Sequence, residues 1–210
     1  MLAVLNIMSD EIRIKVEVYS KLLANIITSA SLHYDIWWIY KERDSRAKYV
    51  NTMNQYLDFF LPSLQSHFLS AIVEIYKLFE TRKDTANFPA LVKLIIDNSL
   101  VKKDTQDEIQ KKLKEARILW RKIAILRSEL FAHSSIKLTY RAIFEKANVK
   151  PNEIKELIER SKNLLNLITE PTISRSHLFT LTATDDAKQV LEDLMKYNQE
   201  LTANKRINAD

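Results

Sequence analysis

The chain has 210 residues, of which 46% are hydrophobic, and it contains neither cysteine nor glycine. Without cysteine it cannot form disulfides or thiolate metal sites. The absence of glycine argues against a Rossmann fold, a P-loop and most sheet proteins, because their tight turns and phosphate-binding loops need that residue. The formal net charge of +5 is compatible with a nucleic-acid partner, but it is also common in helical proteins that have none.

Hydrophobic residues at spacings of three and four predict helices in the first part of the chain. The first helix is expected to begin near Ser9, where a capping residue precedes two acidic residues, and Leu32–Tyr40 forms a second helix or a continuation of the first. A helical pattern then covers Lys48–Glu80, in which Pro62 marks either a kink or a new first turn.

The middle of the chain contains the longest predicted helix. It follows a polar loop at Thr81–Asn87 and a short helix at Pro89–Asn98. Thr105 and Glu108 have the spacing of a capping box, which predicts the start of a helix of about 28 residues. This central helix ends near His133.

The last part of the chain is predicted to contain two further helices. After a turn at Asn148–Pro151, the first runs from Pro151 to Ile168. Pro171–Thr184 is the only long loop predicted, and the last helix covers Asp185–Ala203, with Thr184 as its cap. There is no internal repeat and no linker, so we expect a single all-α domain over residues 1–210.

The apolar segments do not indicate a membrane protein. No apolar run approaches the ~20 residues that a membrane-spanning helix requires. The apolar start of the chain, Met1–Met8, is short and lacks the basic leader of a secretory signal. We therefore expect a cytoplasmic protein without membrane contact.

Arg127 is the most unusual residue of the central helix. It follows Ile109 by 18 residues, which is five full helical turns, so it faces the same way as the apolar stripe. An unpaired charge in such a position is costly, which favours a function for this side chain. His133 falls at the edge of the same stripe, roughly 9 Å further along the helix axis. Two copies meeting on a two-fold axis could bring their Arg–His pairs into one cleft.

The segment Leu126–Ser134 has the sequence Leu-Arg-Ser-Glu-Leu-Phe-Ala-His-Ser. It resembles the Leu-Arg-Asn-Lys-x-x-Ala-His-Ser/Asp signature of HEPN-domain ribonucleases, and is most similar to the abortive-infection AbiU-like branch. The segments Ile72–Leu91 and Phe144–Leu165 resemble the helices that flank this signature in that family. The resemblance extends over residues 10–200.

The resemblance implies an all-α HEPN-like helical bundle built on two long antiparallel helices, with additional C-terminal helices. It also implies a metal-independent endoribonuclease of a toxin or phage-defence system, without a cofactor, that leaves a cyclic phosphate. In this chain His133 would be the general acid/base, Arg127 would stabilise the transition-state phosphate, and Ser128 and Ser134 would be supporting polar groups. RNA, a second copy of the chain and an antitoxin protein are the partners that it implies.

Two alternatives remain open from the sequence. Ser128 occupies a position where the family usually has Asn, Asp or His, so the chain could be an inactive HEPN-like module that binds RNA, nucleotide or a partner protein. In a chain of this composition, an Arg–His pair at this spacing is expected almost once by chance. A helical structural protein in which the pair has no function is therefore the other alternative. His67, on the helix after Pro62, is a further candidate for the site, as are Arg175 and His177 in the long loop.

Overall fold

The computed structural model describes residues 9–132 and 140–207, and all regular secondary structure in these two ranges is helical. The helices are α1 (Asp10–Lys41), α2 (Arg43–Gln55), α3 (Leu57–Phe79), α4 (Phe88–Asp97), α5 (Lys103–Ala132), α6 (Tyr140–Ala147), α7 (Pro151–Ile173) and α8 (Thr184–Ile207). The predicted all-α fold is therefore confirmed. Within the same ranges, no helix combines the length and the apolar character needed to cross a membrane.

The chain divides into two compact units; two of the three boundaries between them fall inside α1 and α3, and the third lies in the segment between α7 and α8. Unit one comprises the described residues of Met1–Ala30 and Ile72–Thr180, which include α4, α5, α6 and α7. Unit two comprises those of Ser31–Ala71 and Leu181–Asp210, which include α2 and α8. The single domain over residues 1–210 stays a prediction.

Helix α1 begins where the sequence predicts. The side-chain oxygen of Ser9 accepts a hydrogen bond from the backbone N–H of Ile12 at 3.4 Å, which satisfies one of the unpaired donors of the first turn. The helix then continues without interruption to Lys41, so Leu32–Tyr40 is a continuation of the first helix.

The segment Lys48–Glu80 is helical as predicted, but it is divided at a different place, because α2 ends at Gln55 and α3 begins at Leu57. Tyr56 between them leaves the helical conformation, with φ −120° and ψ 42°. Its hydroxyl donates a hydrogen bond to Asn198 Oδ1 on α8 at 2.9 Å. This contact between residues far apart in sequence accompanies the break. Pro62 lies within α3 and does not begin it.

Helix α5 is the centre of unit one and packs against α4, α6 and α7. Lys122 pairs with Glu153 and Glu115 pairs with Arg160, so α5 and α7 run antiparallel. The side chains that α5 buries completely are Ile109, Ala116, Ile123 and Leu126. Burial of a large aliphatic side chain stabilises a fold by about 1.5–3 kcal/mol, so this stripe is a main contribution to the stability of the unit.

The ends of α5 and α7 differ from the sequence prediction. The backbone N–H of Gln106 donates to the carbonyl of Lys102, so α5 begins ahead of the predicted Thr105 capping box. Helix α7 starts at Pro151 as predicted but continues through Pro171 to Ile173. Pro171 lies in the last turn of α7, which ends two residues later. The loop predicted at Pro171–Thr184 therefore begins at Ser174, and Thr184 belongs to α8 and does not precede it.

Helix α6 was not predicted. It has eight residues, too few for a clear hydrophobic period, and it packs against α5. Lys146 near its end forms an ion pair with Glu129 of α5 at 2.9 Å. The turn predicted at Asn148–Pro151 follows this helix directly.

Unit two has a core of its own, to which α2, α8 and the parts of α1 and α3 in this unit contribute. Its buried side chains are Ile39, Tyr40, Tyr49, Phe60 and Leu191. At the edge of this core, Lys48 Nζ and the Tyr49 hydroxyl both donate to Glu192 Oε1, at 2.6 and 3.0 Å. These bonds tie α8 to α2.

Within residues 9–132 and 140–207, four residues adopt a left-handed backbone although none of them is glycine. They are Ser99, Asn148, Ser174 and Phe179, with φ between 48° and 52°. Ser99, Asn148 and Ser174 directly follow or cap α4, α6 and α7, where helices commonly end in this conformation. For residues with a side chain the conformation costs about 1–2 kcal/mol.

Candidate functional site

Arg127 lies on α5 one residue after Leu126, which is completely buried. The arginine is half-buried, in agreement with its predicted place on the apolar stripe. Its guanidinium carbon lies 4.4 Å from the centroid of the Tyr76 ring on α3. A guanidinium over an aromatic face gains about 0.5–2 kcal/mol, depending on how far it is desolvated. The charge is therefore held by an aromatic ring from another helix.

Tyr76 is itself fixed by Trp120. The two rings are stacked with centroids 5.6 Å apart, and Trp120 Nε1 donates a hydrogen bond to the Tyr76 carbonyl at 3.1 Å. Trp120 precedes Arg127 by seven residues, which is close to two helical turns, so both side chains face α3. Tyr76 thus contacts two positions of α5, and the three residues form one packed group.

Arg127 and Tyr76 line a cleft of about 380 Å³ that lies entirely within unit one. We call it the Arg127 cleft. Helix α1 contributes only aliphatic side chains, α3 contributes both apolar and charged ones, and the loop after α3 contributes a second arginine. Its lining residues are Leu22, Ile26, Val73, Tyr76, Lys77, Glu80, Arg82, Thr85, Ala86 and Arg127.

The loop between α3 and α4 is held in place by Asn87, which is almost completely buried. Asn87 Oδ1 accepts a hydrogen bond from the backbone N–H of Ala90 at 2.9 Å and so caps α4. Asn87 Nδ2 donates to the carbonyls of Arg82 and Thr85, at 2.9 and 3.1 Å. One side chain therefore fixes both the start of α4 and the loop residues that line the cleft.

Two further cations of the cleft form ion pairs with nearby carboxylates. Lys77 Nζ lies 2.9 Å from Glu74 Oε1, and Arg82 contacts both carboxylate oxygens of Asp84, at 3.1 and 2.7 Å. The Arg82 guanidinium holds the pKa of the Asp84 carboxyl below its ordinary value. The Arg82–Asp84 pair is exposed and contributes only about 0–1 kcal/mol, so another anion can replace Asp84 at little cost, whereas the Glu74 side chain of the other pair is only 21% exposed.

The model of the HEPN AbiU2 family matches residues 14–190, described as AbiU2. The chain belongs to the HEPN AbiU2 family. The match runs from α1 into α8 and includes every residue of the Arg127 cleft. It confirms the family and the HEPN-like helical bundle predicted from the sequence. No curated protein and no solved structure matches the chain.

The signature of this HEPN domain is only partly within the described residues. Arg127 lies at the cleft, whereas Ser128 is exposed to solvent. Glu129 turns to Lys146 of α6, and its side chain is only 13% exposed. His133 and Ser134 lie outside the described residues, so their position relative to Arg127 stays a prediction.

The other histidines predicted as candidates have local partners. His67 Nδ1 lies 2.9 Å from His33 Nδ1, in unit two. Burial and the nearby charge of His33 lower the pKa of His67. This pair was not foreseen, because the two residues lie on different helices and 34 positions apart.

His177 belongs to unit one, where its backbone N–H and carbonyl both bond to the Asn166 side chain. Its ring nitrogen Nε2 lies 3.4 Å from the hydroxyl of Ser20, which is completely buried. These contacts anchor the segment after α7 to α1 and α7. Among the described residues there is no group of three histidine or acidic side chains able to hold a metal ion.

Sequence reasoning missed Tyr76, Lys77 and Arg82 as cleft residues. They are 45–51 positions away from Arg127, and nothing in a single sequence shows which face of α3 meets α5. The asparagine before Phe88-Pro89 was a usable signal for the loop, since Asn followed by Pro in the first turn is typical of a helix start. It defines the end of the loop but not its contact with the cleft.

Proposed function

We propose that this HEPN domain is a metal-independent endoribonuclease of a toxin or phage-defence system. The observation that carries the proposal is the guanidinium of Arg127, held over Tyr76 at a cleft and placed six residues before His133. Arginine combines stacking on an aromatic face with bidentate contact to phosphate, so this arrangement suits a group that meets a phosphodiester.

The proposed reaction uses the 2′-hydroxyl of the RNA as the nucleophile. The His133 imidazole removes the hydroxyl proton, and the oxygen attacks the neighbouring phosphorus while the bond to the 5′-oxygen of the next nucleotide breaks. A proton returned to that leaving oxygen completes the step, which yields a 2′,3′-cyclic phosphate and a 5′-hydroxyl. Histidine is suited to both proton transfers near neutral pH. Arg127 stabilises the charge that develops on the phosphate oxygens.

We further propose that the active form is a cytoplasmic homodimer. On a continuous helix the two residues would be roughly 9 Å apart along the axis, so a second protomer that shares the cleft would help to bring them onto one phosphate. Ser128 and Ser134 would then supply additional hydrogen bonds. An antitoxin protein that covers the cleft would keep the enzyme inactive.

A second candidate is an inactive HEPN module that binds RNA, nucleotide or a partner protein. Ser128 favours it, because this residue is a serine where the family usually has Asn, Asp or His, and it is exposed. If the usual residue is needed for cleavage, the cleft would still bind its ligand without breaking it.

The test is digestion of labelled RNA in the presence of EDTA by wild type, His133→Ala and Arg127→Ala. Loss of a general acid/base usually lowers the rate by about 10²–10⁴-fold, and we expect a loss of this size for His133→Ala. Arg13→Ala is the control, because Arg13 is an exposed arginine of α1 that pairs with Glu17. It should cleave like wild type, with cyclic phosphate ends on the products.

Equal cleavage by wild type and His133→Ala would falsify the assignment of the site. Cleavage that disappears with EDTA would contradict the metal-independent mechanism. RNA binding without cleavage by wild type would support the inactive module instead.

A further inference from the structure

The Arg127 cleft contains two kinds of side chain that come from different elements. Leu22 and Ile26 of α1 and Val73 of α3 provide aliphatic surface, and Leu22 is 46% exposed although it is a leucine. Lys77, Arg82 and Arg127 provide three positive charges. A ligand with an apolar, flat part and a negative part would complement both.

A nucleotide has this chemistry. Its phosphate is recognised by lysine and arginine, and its base can lie against apolar side chains. The volume of about 380 Å³ lies in the range of small-ligand sites, which begins at about 300 Å³. A base can enter such a cleft when it is unstacked and unpaired, as in the single-stranded segments that proteins recognise by contact with the bases.

Lys77 and Arg82 can exchange their carboxylate partners for a phosphate. Arg82 is paired with Asp84 in an exposed and therefore weak ion pair, and Lys77, whose side chain is 44% exposed, is paired with Glu74 on the same helix. Asn87 fixes the loop backbone at Arg82, which keeps this arginine at the cleft without the ion pair. The one carboxylate among the lining residues, Glu80, repels a phosphate and lowers the affinity.

From this we infer that the Arg127 cleft is a subsite for a nucleotide of single-stranded RNA next to the scissile phosphate. Lys77 and Arg82 bind the phosphate of that nucleotide, and Leu22, Ile26 and Val73 contact its base. This inference rests on the proposed function, because Arg127 defines the scissile phosphate. It names the substrate class as unpaired RNA.

The test measures binding in the His133→Ala background, so that the RNA stays intact. A fluorescent single-stranded oligonucleotide is titrated by anisotropy at several salt concentrations. Each phosphate contact with single-stranded nucleic acid adds about 0.7 to the slope of log K against log[salt]. Because Lys77 and Arg82 bind the same phosphate, we expect Lys77→Gln and Arg82→Gln each to reduce the slope in part, and the double variant to reduce it by about 0.7.

Other variants distinguish an effect of the cleft residues on RNA binding from an effect of the protein's net charge. Lys93→Gln removes an exposed lysine of α4 that pairs with Asp97, and it should leave the slope unchanged. Leu22→Gln should weaken binding several-fold with the slope unchanged, since it removes apolar contact only. Glu80→Gln should strengthen binding. Circular dichroism and Tm of each variant verify that the fold is intact.

The inference is overturned if Lys77→Gln and Arg82→Gln keep the wild-type slope, or if duplex RNA binds as well as single-stranded RNA. It is also overturned if the oligonucleotide does not bind. Wild-type cleavage together with unchanged slopes in these variants contradicts the subsite and leaves the proposed function standing. Reduced slopes without any wild-type cleavage support the subsite and contradict the proposed reaction.

Discussion

The guanidinium of Arg127 lies over the ring of Tyr76, with 4.4 Å between its central carbon and the ring centroid. Tyr76 is therefore a positioning residue for Arg127, although it lies outside the signature. We expect Tyr76→Phe to keep the cleavage rate, because the stacked face remains. Tyr76→Leu should lower kcat about tenfold with a smaller effect on KM, which corresponds to a loss of ~1.4 kcal/mol in the transition state.

The control for Tyr76 is Tyr197→Leu, which removes a tyrosine that is 54% exposed on α8. It should leave both kinetic constants unchanged. If Tyr76→Leu lowers the Tm but keeps kcat, then the ring only supports the fold and does not position the arginine.

Asn87→Ala is expected to destabilise the domain by about 2 kcal/mol, because it removes a helix cap and two hydrogen bonds from a buried side chain to loop carbonyls. Urea denaturation measures this directly. The variant should also bind RNA more weakly, since Arg82 loses its fixed backbone. Asn163→Ala, at an exposed position of α7, is the matched control and should change stability little. Equal denaturation midpoints for the two variants would contradict the role of Asn87.

Glu153 makes the stability depend on acid pH. Burial raises the pKa of its carboxyl, but hydrogen bonds from Lys122 and from the Lys150 backbone outweigh it, so the pKa is lower than the ordinary value. A carboxyl with a lowered pKa stabilises the folded state above its ordinary pKa, and this contribution disappears as the pH falls through the folded pKa. Glu153→Gln should therefore cost about 1 kcal/mol at pH 7.

The measurement is the free energy of unfolding of wild type and Glu153→Gln between pH 7 and pH 3. The difference should shrink as the pH falls. Glu159→Gln, on the same helix in an exposed pair with Lys162, should show no such dependence. A difference that is constant with pH would mean that Glu153 acts through packing and not through its charge.

The His33–His67 pair predicts a second dependence of folding stability on pH, at less acidic pH than that of Glu153. Burial and the nearby charge of His33 lower the pKa of His67 from its ordinary value of 6.5. The unfolded chain then binds a proton more readily than the folded one, so stability decreases as the pH falls through 6.5. His67→Gln should reduce the decrease between pH 7.5 and 5.5, as measured by thermal unfolding. An unchanged pH profile in that variant would contradict the prediction.

The sequence predicts the helices whose apolar residues repeat regularly. It does not predict features that depend on contacts between residues far apart in the chain. The 18-residue spacing between Ile109 and Arg127 was sufficient to place the arginine on the buried stripe. The break at Tyr56 could not be found, because its hydrogen bond goes to Asn198, which is 142 positions away.

The same limit applies to the cleft. The signature indicates Arg127 and His133, because their chemistry and spacing are visible in one segment of sequence. Tyr76 and Arg82 acquire a role only when α3 and its loop pack against α5, and their own neighbours along the chain carry no sign of it. Predictions from one sequence therefore identify the reactive group more readily than the residues that orient it.

The left-handed residues at the helix ends are positions at which the stability of this protein can be increased. Ser99, Asn148 and Ser174 hold a backbone conformation that glycine adopts without steric cost, yet the chain has no glycine at all. At Ser99 and Ser174 a substitution to glycine removes a steric cost of about 1–2 kcal/mol, against about 0.5–1 kcal/mol for the flexibility that glycine adds to the unfolded chain. Asparagine adopts this conformation more readily, so Asn148 offers less. None of these residues lines the Arg127 cleft. A protein stabilised at these positions would therefore be a suitable background for measuring the destabilising variants described above.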